Sequence, residues 1–223
     1  MVLRITLVRH GETSANASNL KILQGHWNTS LNDQGKEQAL QIAEYLKKEE
    51  FDAIYCSDLN RAKETLNAIR IYHTNTFLHY DERLREQDVG PRYTGRPFSE
   101  ARAKFNPNLP TDEAFDELIT QSGGESVANL RGRIYNFFQF LIDQHHHGDQ
   151  HILLISHGGP IVELVRHLVN VEGFRIPVGL NVKLLRSPKN CSVSRILVKN
   201  SQTGEIETWN AVGHLSIPSR ETP

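Results

Sequence analysis

His151-Ile152-Leu153-Leu154-Ile155-Ser156 is an apolar run that ends in His157-Gly158-Gly159-Pro160. Four consecutive aliphatic residues without alternation read as a strand buried on both faces, as in a parallel sheet covered by helices. Directly after it, Ile161, Leu164, Val165 and Leu168 recur at helical spacing. Pro160 suits the first helical position, where a missing N–H costs no hydrogen bond. The start of the chain has the same outline: residues 2–8, Val-Leu-Arg-Ile-Thr-Leu-Val, read as a strand that ends at Arg9-His10-Gly11.

Outward from these two segments the pattern alternates. Ala39, Ile42, Ala43 and Leu46 mark a helix with Asn32 as its N-cap. Residues 52–56 read as a short buried strand, followed by a helix with Ala62, Thr65, Leu66 and Ile69 on one face. Residues 76–80 read as a further strand. Residues 85–124 are interrupted by Gly90, Pro91, Gly95, Pro97, Pro107 and Pro110, and read as a lid-like insertion carrying short helices over one end of the sheet. Val127, Leu130, Ile134, Phe137 and Leu141 mark a long amphipathic helix. Residues 190–198 and 205–210 read as a closing pair of strands around Thr203-Gly204. Alternating strands and helices predict an α/β fold: a three-layer sandwich with a mainly parallel central sheet flanked by helices. A single domain is expected over residues 1–215, with 216–223 as a frayed tail.

Composition narrows the function classes. At 38% hydrophobic and 23% charged residues, the 223-residue chain has the makeup of a folded protein. No apolar run approaches the 18 or so residues of a membrane span. Lys+Arg number 25 against 26 Asp+Glu, so bulk positive charge does not direct the chain to nucleic acid or a membrane surface. Cys56 and Cys191 read as reduced core thiols, and the N-terminus lacks the pattern of a signal peptide, so a cytoplasmic location is expected. His145-His146-His147, adjacent at a helix end, read as a solvated C-terminus rather than a metal site.

The chemistry gathers at strand ends. Ligands of open parallel sheets bind outside the carboxyl ends of the strands. His10 and His157 should meet there, with Arg9 beside them and a helix from Gly159 aiming free N–H groups at an anion. A third strand end, Cys56-Ser57-Asp58-Leu59-Asn60-Arg61, allows Asp58 or Ser57 to cap the next helix. Arg61 then lies in the first turn, where a cation opposes the helix dipole and so points to a bound anion. Glu86, in Leu84-Arg85-Glu86, adds a carboxyl able to hold or give a proton.

Together these elements resemble the histidine phosphatase superfamily, which includes the cofactor-dependent phosphoglycerate mutases. Arg9-His10-Gly11-Glu12-Thr13 with Asn16, Ser57-Asp58-Leu59-x-Arg61, Leu84-Arg85-Glu86 and His157-Gly158 occur in the family's order, and the resemblance runs from about residue 3 to 215. It implies a phosphohistidine enzyme without metal or cofactor. His10 is then the nucleophile. Arg9, Arg61 and His157 hold the transferring phosphoryl group and supply positive charge, helped by Thr13, Asn16 and the Gly158 backbone. Gln24-Gly25 touch the substrate, and Glu86 is the proton donor. The chemistry agrees: guanidinium forks match phosphoryl oxygens, and neutral imidazole is a nucleophile near pH 7.

Within the superfamily the chain looks most like fructose-2,6-bisphosphatase-type phosphatases. Gly123-Gly124-Glu125-Ser126 and Asn210-x-x-x-His214-Leu215 support that likeness. The mutases' insertion carries a lysine and an arginine pair for a distal anion. Here Phe98 stands where that lysine aligns, and no Arg-Arg pair follows in residues 99–124. The alternatives are a mutase, a protein phosphatase, or a non-catalytic phospholigand-binding protein of the same fold. Arg92, Arg96, Arg102 and Lys104 are candidates to meet a second substrate phosphate, or are plain surface charges. The expected partner is a small phosphorylated substrate, with no nucleic acid and no membrane, for a monomer or homodimer.

Overall fold

The computed structural model describes residues 1–200 and 203–215. The β-strands are β1 (Leu3–Arg9), β2 (Ala53–Cys56), β3 (Phe77–Tyr80), β4 (Gln150–Ser156), β5 (Val193–Asn200) and β6 (Thr203–Ala211). They form one sheet in the order β3-β2-β4-β1-β5-β6. β1 and β4 pair in parallel from Leu3↔Gln150 to Arg9↔Ser156, and β2 is parallel to both β3 and β4. β5 runs antiparallel to β1 and to β6. Thr203-Gly204, expected in the turn, instead opens β6, with Asn200 opposite Thr203.

Side-chain parity divides the core into two layers. Leu3, Ile5 and Leu7 of β1, with Ile152 and Leu154 of β4, face α7 (Val127–His145) and α8 (Gly158–Asn170). Val8, Leu153 and Ile155 face α2 (Asp33–Leu46) and α3 (Asn60–Ile69). β4 is thus apolar on both faces, which is why its sequence shows no alternation. Asn32 caps α2 by accepting the Gly35 N–H at 2.7 Å.

The segment from 85 to 124 carries α4 (Gly90–Tyr93), α5 (Phe98–Arg102) and α6 (Thr111–Gln121). It has a small core of its own in Val89, Tyr93, Ala101 and Ile119. β1 leads through α1 (Ser14–Ala17) and α2 to β2 on the far side of β4, whereas β4 leads through α8 to β5 on the far side of β1. The crevice between the ends of β1 and β4 is therefore the switch point at which ligands bind in such sheets.

Cys56 and Cys191 are free and buried. His145 is less solvated than expected: its ring nitrogens lie 2.8 Å from the Tyr55 hydroxyl and 2.7 Å from Gln150 Oε1. Among the described residues no helix is long and apolar enough to cross a membrane. The expected tail at 216–223 lies outside the described residues.

Candidate active site

His10 leaves the end of β1 with its backbone N–H on the Ser156 carbonyl, which ties the ends of β1 and β4 together. Its side chain is 1% exposed. Nδ1 lies 2.7 Å from the Gly11 carbonyl oxygen. A carbonyl only accepts, so Nδ1 carries the proton and Nε2 keeps the lone pair. Burial, and then the nearby Arg9 and Arg61 guanidinium groups, hold the imidazole well below its ordinary titration range. His10 is therefore neutral at pH 7, with an Nε2 lone pair available for nucleophilic attack.

His157 follows β4 in extended backbone and lies next to His10, with ring centroids 5.0 Å apart. Both its ring nitrogens are held by the protein: Nε2 lies 2.8 Å from Ser57 Oγ, and Nδ1 accepts the Arg61 Nε–H at 3.1 Å. Burial and Arg61 push its protonation well below the usual range. The expectation that His157 supplies positive charge is thus corrected for the free enzyme, where the ring is neutral and the charge belongs to Arg9 and Arg61.

Arg61 lies on the buried stripe of α3 with Ala62, Thr65, Leu66 and Ile69. It is fully buried, donating Nη1–H to the Trp27 carbonyl at 2.7 Å and Nη2–H to the Gly25 carbonyl at 2.9 Å. Gly25 has φ +48°, in the left-handed region that favours glycine. Burial lowers the Arg61 pKa to about 10, which still leaves it charged at pH 7. Arg9 donates Nη1–H to the Pro188 carbonyl at 2.6 Å, while its buried Nε has no partner among the described residues. A buried unpaired N–H is unfavourable, and a bound phosphoryl oxygen is a fitting acceptor for it.

Glu86 sits across the crevice at the start of α8. Its Oε1 accepts the Gly159 N–H at 3.1 Å and the Gln87 N–H at 2.9 Å. A Cβ on residue 159 would press on that carboxylate and displace it from the Gly159 N–H. This corrects two expectations. α8 starts at Gly158 rather than at Gly159, which puts Pro160 third in the helix, still inside the first turn. The Gly159 N–H is also engaged by Glu86 rather than free.

Glu86 is fixed from three sides. Arg133 donates to the Arg83, Arg85 and Glu86 carbonyls at 2.7, 3.0 and 3.3 Å. Ser156 Oγ donates to the Leu84 carbonyl, and Arg85 is paired with Asp58. Asp58 is thus used by Arg85 and does not cap α3. Leu59 is the N-cap, with no side-chain bond, and Ser57 Oγ accepts only a long bond from Leu59 N–H at 3.4 Å.

Thr13 Oγ1 lies 3.0 Å from both Asn16 Oδ1 and Gln24 Oε1, so Thr13, Asn16 and Gln24 form one polar rim. Asn190 joins that rim to His10 by donating to the His10 carbonyl at 2.9 Å and to Asn16 Oδ1 at 3.3 Å. The structure therefore brings His10, Arg9, Arg61, His157 and Glu86 to one crevice, with Gly158 in its wall. Asn190, Pro188 and Ser187 were missed by sequence reading. They come from the loop before β5, which carries no motif.

Arg92, Arg96, Arg102 and Lys104 are all exposed, and none lines the large cleft that opens beside Gly158 and Gly159. That cleft has a volume of about 960 Å³, and its basic residues are Arg131, Arg166, Lys183 and Arg186.

A family model described as "Histidine phosphatase superfamily (branch 1)" matches residues 5–212. Phosphoglycerate mutase-like protein 4 of Arabidopsis thaliana is 34% identical over 95% of this chain and 86% of that protein. Fructose-2,6-bisphosphatase TIGAR B of Danio rerio is 31% identical over 86% of this chain and 85% of that protein. Of the solved structures, Mycobacterial hydrolase 1 superposes with a TM-score of 0.76 at 27% identity, covering 95% of this chain and 99% of that one.

Proposed function

The chain belongs to the histidine phosphatase superfamily (branch 1) and is a phosphatase, and from that premise we propose that it hydrolyses small phosphate monoesters through a phosphohistidine on His10. The observation that carries this reading is the Nδ1–H of His10 on the Gly11 carbonyl, which leaves a neutral Nε2 lone pair beside two buried guanidinium groups.

In the first step Nε2 of His10 attacks phosphorus as the ester P–O bond breaks. Arg9 and Arg61 take the charge that spreads over the equatorial oxygens. The leaving alkoxide takes the proton of the Glu86 carboxylic acid. In the second step water attacks the phosphohistidine and gives its proton to the Glu86 carboxylate as the N–P bond breaks. Inorganic phosphate leaves, with His10 and Glu86 restored. Fructose 2,6-bisphosphate is the substrate proposed, on the resemblance in Gln24-Gly25 and Ser57-Asp58-Leu59 and on the TIGAR relative. A cytoplasmic setting is part of the proposal, since two free buried thiols suit a reducing compartment.

The test is phosphate release from fructose 2,6-bisphosphate with EDTA present, run beside His10→Ala. The expected result is release that is lost in the variant. Isomerisation of 3-phosphoglycerate faster than hydrolysis of any ester would replace hydrolysis with a mutase reaction. Release from other esters but not from this one would remove the substrate and leave the chemistry standing.

A further inference from the structure

The large cleft opens at Gly158-Gly159, where Glu86 accepts the Gly159 N–H, and its two walls differ in charge. On the α7–α8 side, Glu163 is 5% exposed and binds two arginines at once. Its Oε2 accepts Nε–H and Nη2–H of Arg131 at 3.0 and 2.7 Å, and its Oε1 accepts Nη1–H of Arg166 at 2.8 Å. Arg166 also donates Nη2–H to the Leu185 carbonyl at 2.8 Å, which ties the helix to the segment carrying Lys183 and Arg186.

One carboxylate between two guanidinium groups leaves that wall positive, and Lys183 and Arg186 add to it. Among the described residues, Nη1 of Arg131 and Nε of Arg166 make no hydrogen bond. Both arginines are thus held in place with donors to spare, which limits the ordering cost of binding an anion. The facing wall, on α6, carries Asp112, Glu113 and Asp116. Those carboxylates repel an anion from that side and restrict it to the α8 wall.

We propose that the preferred substrates are monoesters whose leaving group carries a second anionic group, phosphate or carboxylate, bound by Arg131, Arg166, Lys183 and Arg186. This rests on the phosphatase reading and deepens it. It places a distal anion site on the faces of α7 and α8 and the loop after them, rather than at Arg92, Arg96, Arg102 and Lys104, which the sequence left open between phosphate contacts and plain surface charges.

The experiment compares kcat/KM for fructose 1,6-bisphosphate, fructose 2,6-bisphosphate and phosphoserine with that for glucose 6-phosphate, whose leaving group is neutral. Wild type is expected to favour at least one anionic leaving group tenfold or more, and the arm that shows the preference tells phosphate from carboxylate. In the double variant Lys183→Ala/Arg186→Ala, both residues being exposed, that preference falls at least tenfold, through KM. Arg131→Gln is expected to act in the same direction. A wild type without preference, or a preference that the variants leave intact, overturns the proposal. If no ester at all is hydrolysed, the phosphatase reading fails instead. Calorimetric binding of fructose 1,6-bisphosphate and glucose 6-phosphate to the His10→Ala protein then decides on the anion wall independently of turnover, with equal affinities counting against it.

Discussion

Arg61 donates its Nε–H to Nδ1 of His157 at 3.1 Å, and that bond fixes where the proton of the neutral imidazole sits. A guanidinium only donates, so Nδ1 holds the lone pair and Nε2 the proton, which goes to Ser57 Oγ at 2.8 Å. Ser57, His157 and Arg61 form a buried chain whose far end is tied to the Gly25 and Trp27 carbonyls. The Arg61 guanidinium, beside the proposed phosphoryl site, is therefore oriented by a histidine, and the histidine by a serine.

Ser57→Ala removes the acceptor for Nε2–H and leaves that donor buried without a partner. The expected loss of stability is about 1–3 kcal/mol, the usual cost of such a group. Turnover should fall roughly tenfold, with KM changed less, because Arg61 loses its registration rather than its charge. Denaturant unfolding and steady-state kinetics check both. Wild-type stability and turnover would remove Ser57 from the chain.

Stability should depend on pH through the two site histidines. Burial, and then the neighbouring arginines, hold His10 well below its ordinary range; burial and Arg61 do the same for His157. In the unfolded chain each takes up a proton near pH 6.5. Their contribution is complete above that pH and is lost as the pH falls toward the folded values. Two such groups give a slope approaching about 2.7 kcal/mol per pH unit below pH 6.5, and His10→Gln should remove about half of it. Urea unfolding at several pH values between 5 and 8 measures the difference. Identical slopes in the two proteins would count against a neutral buried His10.

Much of this was readable because the site lies where strong local signals end. The unbroken apolar run of β4 and the β-branched run of β1 place His157 and His10 at the carboxyl edge of a parallel sheet. Arg61 also carried a signal, since it shares the stripe of Ala62, Thr65 and Leu66, the pattern of a buried side chain. The distal cations carried none. Arg131 and Glu163 meet from α7 and α8 across 32 positions, and no local spacing encodes that encounter. Pro160 was misplaced by two residues because His157 is still extended, with φ −125° and ψ 174°, and the helix turns in immediately after it. The first-turn N–H groups have no intrahelical partner, so proline is tolerated there in either register.

Glu86→Gln preserves the carbonyl oxygen that can accept the Gly159 N–H but cannot protonate a leaving oxygen. Alkyl phosphates, whose alkoxides leave poorly, should slow by about a hundredfold or more, within the usual range for general acid catalysis. p-Nitrophenyl phosphate should slow much less, since its phenolate leaves without help. Equal losses on the two esters would deny Glu86 the role of acid.

Arg133 is expected to act on the same step by positioning Glu86. Its guanidinium is tied to Glu125 and reaches the carbonyls of Arg83, Arg85 and Glu86, so it sets the position of the turn that presents the Glu86 carboxyl. Arg133→Lys keeps the charge but not the planar fork that serves carboxylate and carbonyls together. Turnover of an alkyl phosphate should drop about tenfold while p-nitrophenyl phosphate is affected less, repeating in weaker form the signature of Glu86→Gln. Arg133→Met should show the same selectivity more strongly and destabilise the fold by about 1–3 kcal/mol, because Glu125 loses its partner in a partly solvated pair. The ratio of the two substrates is the informative readout: a merely structural arginine would lower both rates together, whereas a residue that positions the acid lowers the one that needs it.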